Sequence, residues 1–101
     1  EKSDCSAADG SSAGGHWNPT FKKHGKLGEG EAHKGDIGNF TADEKGNGTI
    51  TFTTKEWSIG SEDETKNILG KGLIVHQGAD DYVSQPAGNA GVRVACSAII
   101  K

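Results

Sequence analysis

Ile37-Gly38-Asn39-Phe40-Thr41-Ala42, Asp43-Glu44-Lys45-Gly46-Asn47-Gly48 and Thr49-Ile50-Thr51-Phe52-Thr53 run on from one another, and the fold class turns on this stretch. Its last five residues alternate, with Ile50 and Phe52 on one side and threonines on the other, the period of two of a half-buried strand. The six residues before them are dense in turn formers, and Ile37 to Ala42 can form the partner strand, so the stretch reads as a β-hairpin. Further along the chain, Glu56 to Ile59 reads as a short strand and Leu73 to His76 as a compact buried one. Val92 to Ile100 reads as a strand of β-branched residues and small partners. No segment sustains a 3.6-residue period. The pattern predicts an all-β, antiparallel class with long irregular excursions at Glu1 to Gly35 and Gln77 to Gly91.

A chain of 101 residues is expected to form one domain, 1–101. Its longest apolar runs, such as Leu73-Ile74-Val75, fall far short of the roughly 20 residues of a spanning helix, so no membrane partner is expected. Leu, Ile, Val and Phe number only 17 while the net charge is −3, so the chain is poor in core rather than swollen by charge. The 16 glycines bury almost no side-chain surface, and something else must staple the fold. Cys5 and Cys96 lie near opposite ends. A bridge between them would close nearly the whole chain, about 4 to 5 kcal/mol in the loop-entropy account, and would imply an oxidising compartment. Two buried free thiols are the alternative. The opening residues resemble no signal peptide, which leaves a mature form or a segment of something longer.

His16, His24 and His33 fall in a glycine-rich loop, Asp36 follows His33 by three, and His76 ends the later strand. Zinc takes four nitrogen, sulfur or carboxylate ligands, and a flexible loop can wrap the ion and bring three imidazoles and a carboxylate together without a large core. Solvated surface histidines are the alternative, because these spacings lie outside the compact zinc-finger patterns. Lys22, Lys23, Lys26 and Lys34 read as a solvated face, with steering of an anion as the alternative. The acidic balance makes nucleic acid an unexpected partner. Trp17 and Trp57 are expected to be core or interface anchors. Asn39-Phe40-Thr41 and Asn47-Gly48-Thr49 match the N-glycosylation triplet, which is common by chance.

Five motifs occur in order: Gly14-Gly15-His16-Trp17-Asn18-Pro19, Lys23-His24-Gly25, His33-Lys34-Gly35-Asp36-Ile37-Gly38-Asn39, Val75-His76-Gln77-Gly78-Ala79-Asp80-Asp81, and Gly88-Asn89-Ala90-Gly91-Val92-Arg93-Val94-Ala95-Cys96. Together they closely resemble the copper,zinc superoxide dismutase family, and Gly-Gly-His-Trp resembles its bacterial form. The resemblance implies an antiparallel Greek-key β-sandwich or barrel with long metal-binding and channel loops, N-terminally truncated relative to the family. It implies that His16 bridges copper and zinc, that His24, His33 and Asp36 complete the zinc site, and that His76 is a copper ligand. It further implies that Asp80 links one histidine of each site and that Arg93, the only arginine, draws in superoxide at the mouth of the copper channel. Cys5 and Cys96 match the family disulfide. The implied reaction is dismutation of superoxide to dioxygen and hydrogen peroxide, in a secreted or periplasmic protein. One departure is plain: the family's other two copper ligands form a His-x-His pair on a strand that would precede Glu1, and the sequence has no such pair. Two functions follow, the C-terminal portion of a dismutase or a dismutase-like zinc-binding module without redox activity. Exposed strands further suggest a homo-oligomer or a domain swap.

Overall fold

The computed structural model describes residues 1–28 and 30–100; Glu29, in the glycine-rich loop, and Lys101 lie outside the described residues. Strand β1 (Gly72–His76) and strand β2 (Arg93–Ala98) form an antiparallel two-stranded sheet. Leu73, Ile74 and Val75 supply the β-favouring run of β1, and small residues of β2 lie opposite them, with Ile74 facing Cys96 and Val75 facing Ala95. Antiparallel bonding continues past both ends of the ladder. Gly70 N–H donates to the Ile99 carbonyl at 2.9 Å, and Gly78 N–H donates to the Ala90 carbonyl at 2.7 Å. The register shifts between Val75 and His76, leaving Val94 unpaired and setting Arg93 opposite His76. A bulge of this kind re-aims side chains, and here it sets Arg93 rather than Val94 across the ladder from His76.

The strands expected at Leu73 to His76 and Val92 to Ile100 correspond to β1 and β2 within two residues. The expected hairpin does not form a ladder. Its turn is present, with Gly46 N–H donating to the Asp43 carbonyl at 3.0 Å and Asp43 N–H donating to Asn47 at 2.7 Å, but the flanking segments pair no further. Residues 38–51 are all exposed, so neither face of either segment buries enough apolar surface to offset the entropy of ordering it. Glu56 to Ile59 contributes a single bridge, Ser58 to Asn67.

The N-terminal loop is tied to β2 by the Cys5–Cys96 disulfide, with Cα atoms 5.7 Å apart, so the open-thiol alternative is excluded. A short 3-10 turn at Ser11–Ala13 follows, and Lys2 N–H donates to the Ala13 carbonyl at 2.7 Å. Among the described residues the buried apolar side chains are only Ala13, Ala32 and Ala90, whereas His24, His33, Lys34 and Asp36 are buried. The interior is thus organised around a polar cluster. Beside it opens a cavity of about 420 Å³ lined by Ile37, Phe40, Trp57, Ile68, Ile74 and Ile99 at its apolar end. Trp57 stacks at 4.9 Å from Phe52 and donates its indole N–H to the Lys34 carbonyl at 2.7 Å, which anchors the end of the glycine-rich loop. No helix among the described residues is long and apolar enough to cross a membrane.

Candidate metal centre

Asp36 organises the loop that carries the histidines. Its Oδ2 accepts the backbone N–H of His33 at 2.9 Å and of Gly25 at 3.2 Å, so one carboxylate gathers two turns of a segment with little regular bonding of its own. Gly25 is required by space, since a Cβ there would strike the Glu31 carbonyl. On the other side of the carboxylate, Oδ1 lies 2.6 Å from His16 Nδ1 and 3.3 Å from His33 Nδ1, and the two Nδ1 atoms are 3.3 Å apart. His24 Nδ1 lies 2.9 Å from Oδ2. Four potential ligand atoms, one each from His16, His24, His33 and Asp36, therefore sit within 4.8 Å of one another. Zinc bonded at roughly 2.0 to 2.1 Å to a tetrahedral set separates its ligands by about 3.3 Å, a spacing that the distances here, from 2.6 Å up to 4.8 Å, bracket.

The state of His24 tests whether a cation fits. Its Nε2 lies 2.7 Å from Asp80 Oδ1, and an acceptor there places the ring proton on Nε2. Nδ1 is then a bare lone pair. Its neighbour there is Asp36 Oδ2, and this buried nitrogen makes no hydrogen bond among the described residues. A buried nitrogen with no hydrogen bond, set among three other potential ligand atoms, suits a cation. The electrostatics favour an ionised Asp36 and a neutral His33, while the two carboxylates around His24 favour a cation there, a proton or a metal. Burial raises the Asp36 carboxyl, but contact with His16 and the N–H groups of His33 and Gly25 outweighs it and holds the group below the ordinary 3.8. Burial pushes His33 below 6.5, towards the neutral form a ligand must have. Burial also pushes His24 down, but the Asp80 and Asp36 carboxylates outweigh it and hold that ring above 6.5.

His76 stands outside the cluster, its ring centroid 6.2 Å from that of His16. The Gly91 carbonyl lies 2.9 Å from its Nδ1, so Nδ1 carries the proton and Nε2 is left as the lone pair. Arg93 donates from Nη1 to the Gly10 carbonyl at 2.6 Å, and His16, His76, Asp80 and Arg93 line the same cavity. Gly10 has φ 75, and a Cβ there would press on the Arg93 stem at 3.1 Å. Of the four lysines, Lys34 is buried and pairs with Glu56 at 3.6 Å, while Lys22, Lys23 and Lys26 are exposed as a solvated face would be.

Three contributors to the centre went unread in the sequence. Asn39 grips the Asp80 peptide, its Oδ1 accepting the Asp80 N–H at 2.9 Å and its Nδ2 donating to the Asp80 carbonyl at 3.0 Å, so the amide of that N-glycosylation triplet is engaged. Gln85 grips His24 in the same manner. Gly88 passes so close to the His24–Asp80 contact that a Cβ would land on it. Asn39 and Gly88 lay inside the quoted motifs without an assigned role, and nothing local marks Gln85.

The sequence pattern of the family described as copper/zinc superoxide dismutase (SODC) matches residues 1–99. Superoxide dismutase [Cu-Zn] 2 and superoxide dismutase [Cu-Zn] 1 of Aquifex aeolicus (strain VF5) are each 40% identical, over 98% and 94% of this chain. The chain spans 59% and 57% of their lengths. The superoxide dismutase-like protein YojM of Bacillus subtilis (strain 168) is 35% identical over 99% of the chain and 52% of its own length. Among solved structures, a SOD-like protein from Bacillus subtilis superposes with a TM-score of 0.84 at 34% identity, covering 99% of this chain and 68% of that one. That likeness places the chain in the β-sandwich class, although among the described residues only two strands form a ladder. With 99 of its 101 residues matched, the chain belongs to the copper/zinc superoxide dismutase family.

Proposed function

We propose that residues 1–101 are the metal-holding and channel-lining part of a secreted or periplasmic superoxide dismutase of Greek-key architecture. The reaction converts two superoxide anions and two protons to dioxygen and hydrogen peroxide. The observation that carries this reading is the cluster of half-buried His16 with buried His24, His33 and Asp36, in which His24 Nδ1 makes no hydrogen bond. These four would hold zinc, the three imidazoles through Nδ1. His16, through its remaining ring nitrogen, and His76, through Nε2, would contribute to a copper site. Copper, when bound, supplies the one-electron oxidation and reduction that zinc lacks. Asp80 keeps the proton of His24 on Nε2. Arg93, held by Gly10 and set opposite His76 by the bulge, presents a fixed planar cation to a small anion entering the cavity. The free edge of β1 is open to a further strand, from the polypeptide that completes the site or from a second copy.

A second reading has its own support: a dismutase-like zinc-binding module without redox activity. The sequence contains four histidines, three of them in the cluster, so copper is left with His76 and a shared His16, fewer imidazoles than tight binding needs. Metal content and superoxide consumption of residues 1–101, alone and mixed with a polypeptide bearing a His-x-His strand, separate the two. Zinc alone at first, with copper uptake and dismutation on mixing, supports the enzyme. Zinc retained with neither copper nor activity supports the module, and a chain that takes up no metal removes both.

A further inference from the structure

Gln85 reaches 61 residues back along the chain to close a two-point clamp on the main chain of His24. Its Oε1 accepts the His24 N–H at 2.8 Å, and its Nε2 donates to the His24 carbonyl at 2.9 Å. The same Nε2 donates to the Val83 carbonyl at 3.1 Å, which fixes the carboxamide plane. His24 has no backbone–backbone bond among the described residues, so this one side chain satisfies both of its main-chain polar groups. The ring of the same residue is held by Asp80. Asp80 and Gln85 sit on one turn, whose intervening N–H groups at Val83 and Ser84 are capped by the Asp81 carboxylate at 2.9 and 2.8 Å. A single braced turn therefore holds His24 at ring and backbone together.

We infer that Gln85 is a positioning residue for metal binding, fixing the His24 backbone so that Nδ1 meets the ion at the angle the other three donors require. Asp80 sets where the ring proton sits; Gln85 sets where the ring itself stands. The inference rests on the zinc reading and extends it to a residue that touches no ligand atom. Gln85 is exposed, so replacing it removes the clamp without emptying an apolar site.

The test compares the parent chain with Gln85→Leu and Gln85→Glu, using competition with a chromophoric chelator for zinc affinity and the visible spectrum of cobalt(II) for ligand geometry. Gln85→Leu loses both contacts and is expected to bind zinc about 10- to 100-fold more weakly, with altered cobalt bands. Gln85→Glu keeps the acceptor, sets a carboxylate against the His24 carbonyl, and is expected to fall between the two. A merely structural contact would lower Tm in the variants while leaving affinity and cobalt spectrum as in the parent, and that result overturns the inference. If Gln85→Leu fails to fold, Gln85→Glu against the parent decides alone. A parent chain that binds neither zinc nor cobalt brings down the zinc reading and this inference with it; a parent that binds beside unchanged variants brings down only the role of Gln85.

Discussion

Three demands meet at His24. Nδ1 must face the cluster, Nε2 must face Asp80, and the chain must pass behind the ring without touching it. Gly88 meets the last demand. It is buried with φ 72, and a Cβ there would collide with Asp80 Oδ1 and lie 2.7 Å from His24 Nε2. Gly88→Ala is therefore expected to part His24 from Asp80 and weaken zinc binding by about 10- to 100-fold, read by chelator competition. Gly46→Ala is the matched control, since Gly46 has φ 82 but open space around it and so carries the same backbone penalty without the collision. Equal zinc affinity in the two variants would show that backbone strain alone, not contact with the ligand pair, is what Gly88 avoids. The donors were legible in the sequence because imidazole and carboxylate advertise their chemistry. Gly88 acquires its role only from what passes beside it.

At the scale of elements, the β1–β2 arm and the disulfide carry the frame. The strand signal at Leu73 to His76 is matched because an apolar partner run returns along it. The signal at Ile37 to Thr53 is not, because alternation says which face a strand would bury but does not supply the surface to bury it against. Cys96 lies in β2 three residues beyond Arg93, and Cys5 begins the loop whose Gly10 carbonyl holds that arginine. The bridge closes a sequence separation of 91. Replacing both cysteines by serine is expected to lower stability by about 4 to 5 kcal/mol in the chain-entropy account, measured as the denaturant midpoint of the metal-loaded protein. Unchanged midpoints would mean that the two segments are held by other contacts, among them the Lys2 N–H on the Ala13 carbonyl at 2.7 Å.

For the molecule as a whole, three alanines are the buried apolar residues described, and His24, His33 and Asp36 are buried as well. A fold so arranged depends on what compensates its buried polar groups. Removing zinc with a chelator is expected to lower Tm, and restoring it at about 100 times its Kd should recover roughly 2.7 kcal/mol of stability. A Tm indifferent to chelator would place the stabilising contacts elsewhere. The sequence by itself determined the donor chemistry, the two cysteines, the β class and the family, because each follows from residue type and order along the chain. Only the tertiary structure decided that Nδ1 of His16, His24 and His33 turns towards Asp36, that a bulge sets Arg93 opposite His76, and that Gln85 and Gly88 lie against His24. Those arrangements join His24 to residues 56 and 61 positions away. Orientation across such distances is fixed by packing between loops, and no local period of the sequence records it.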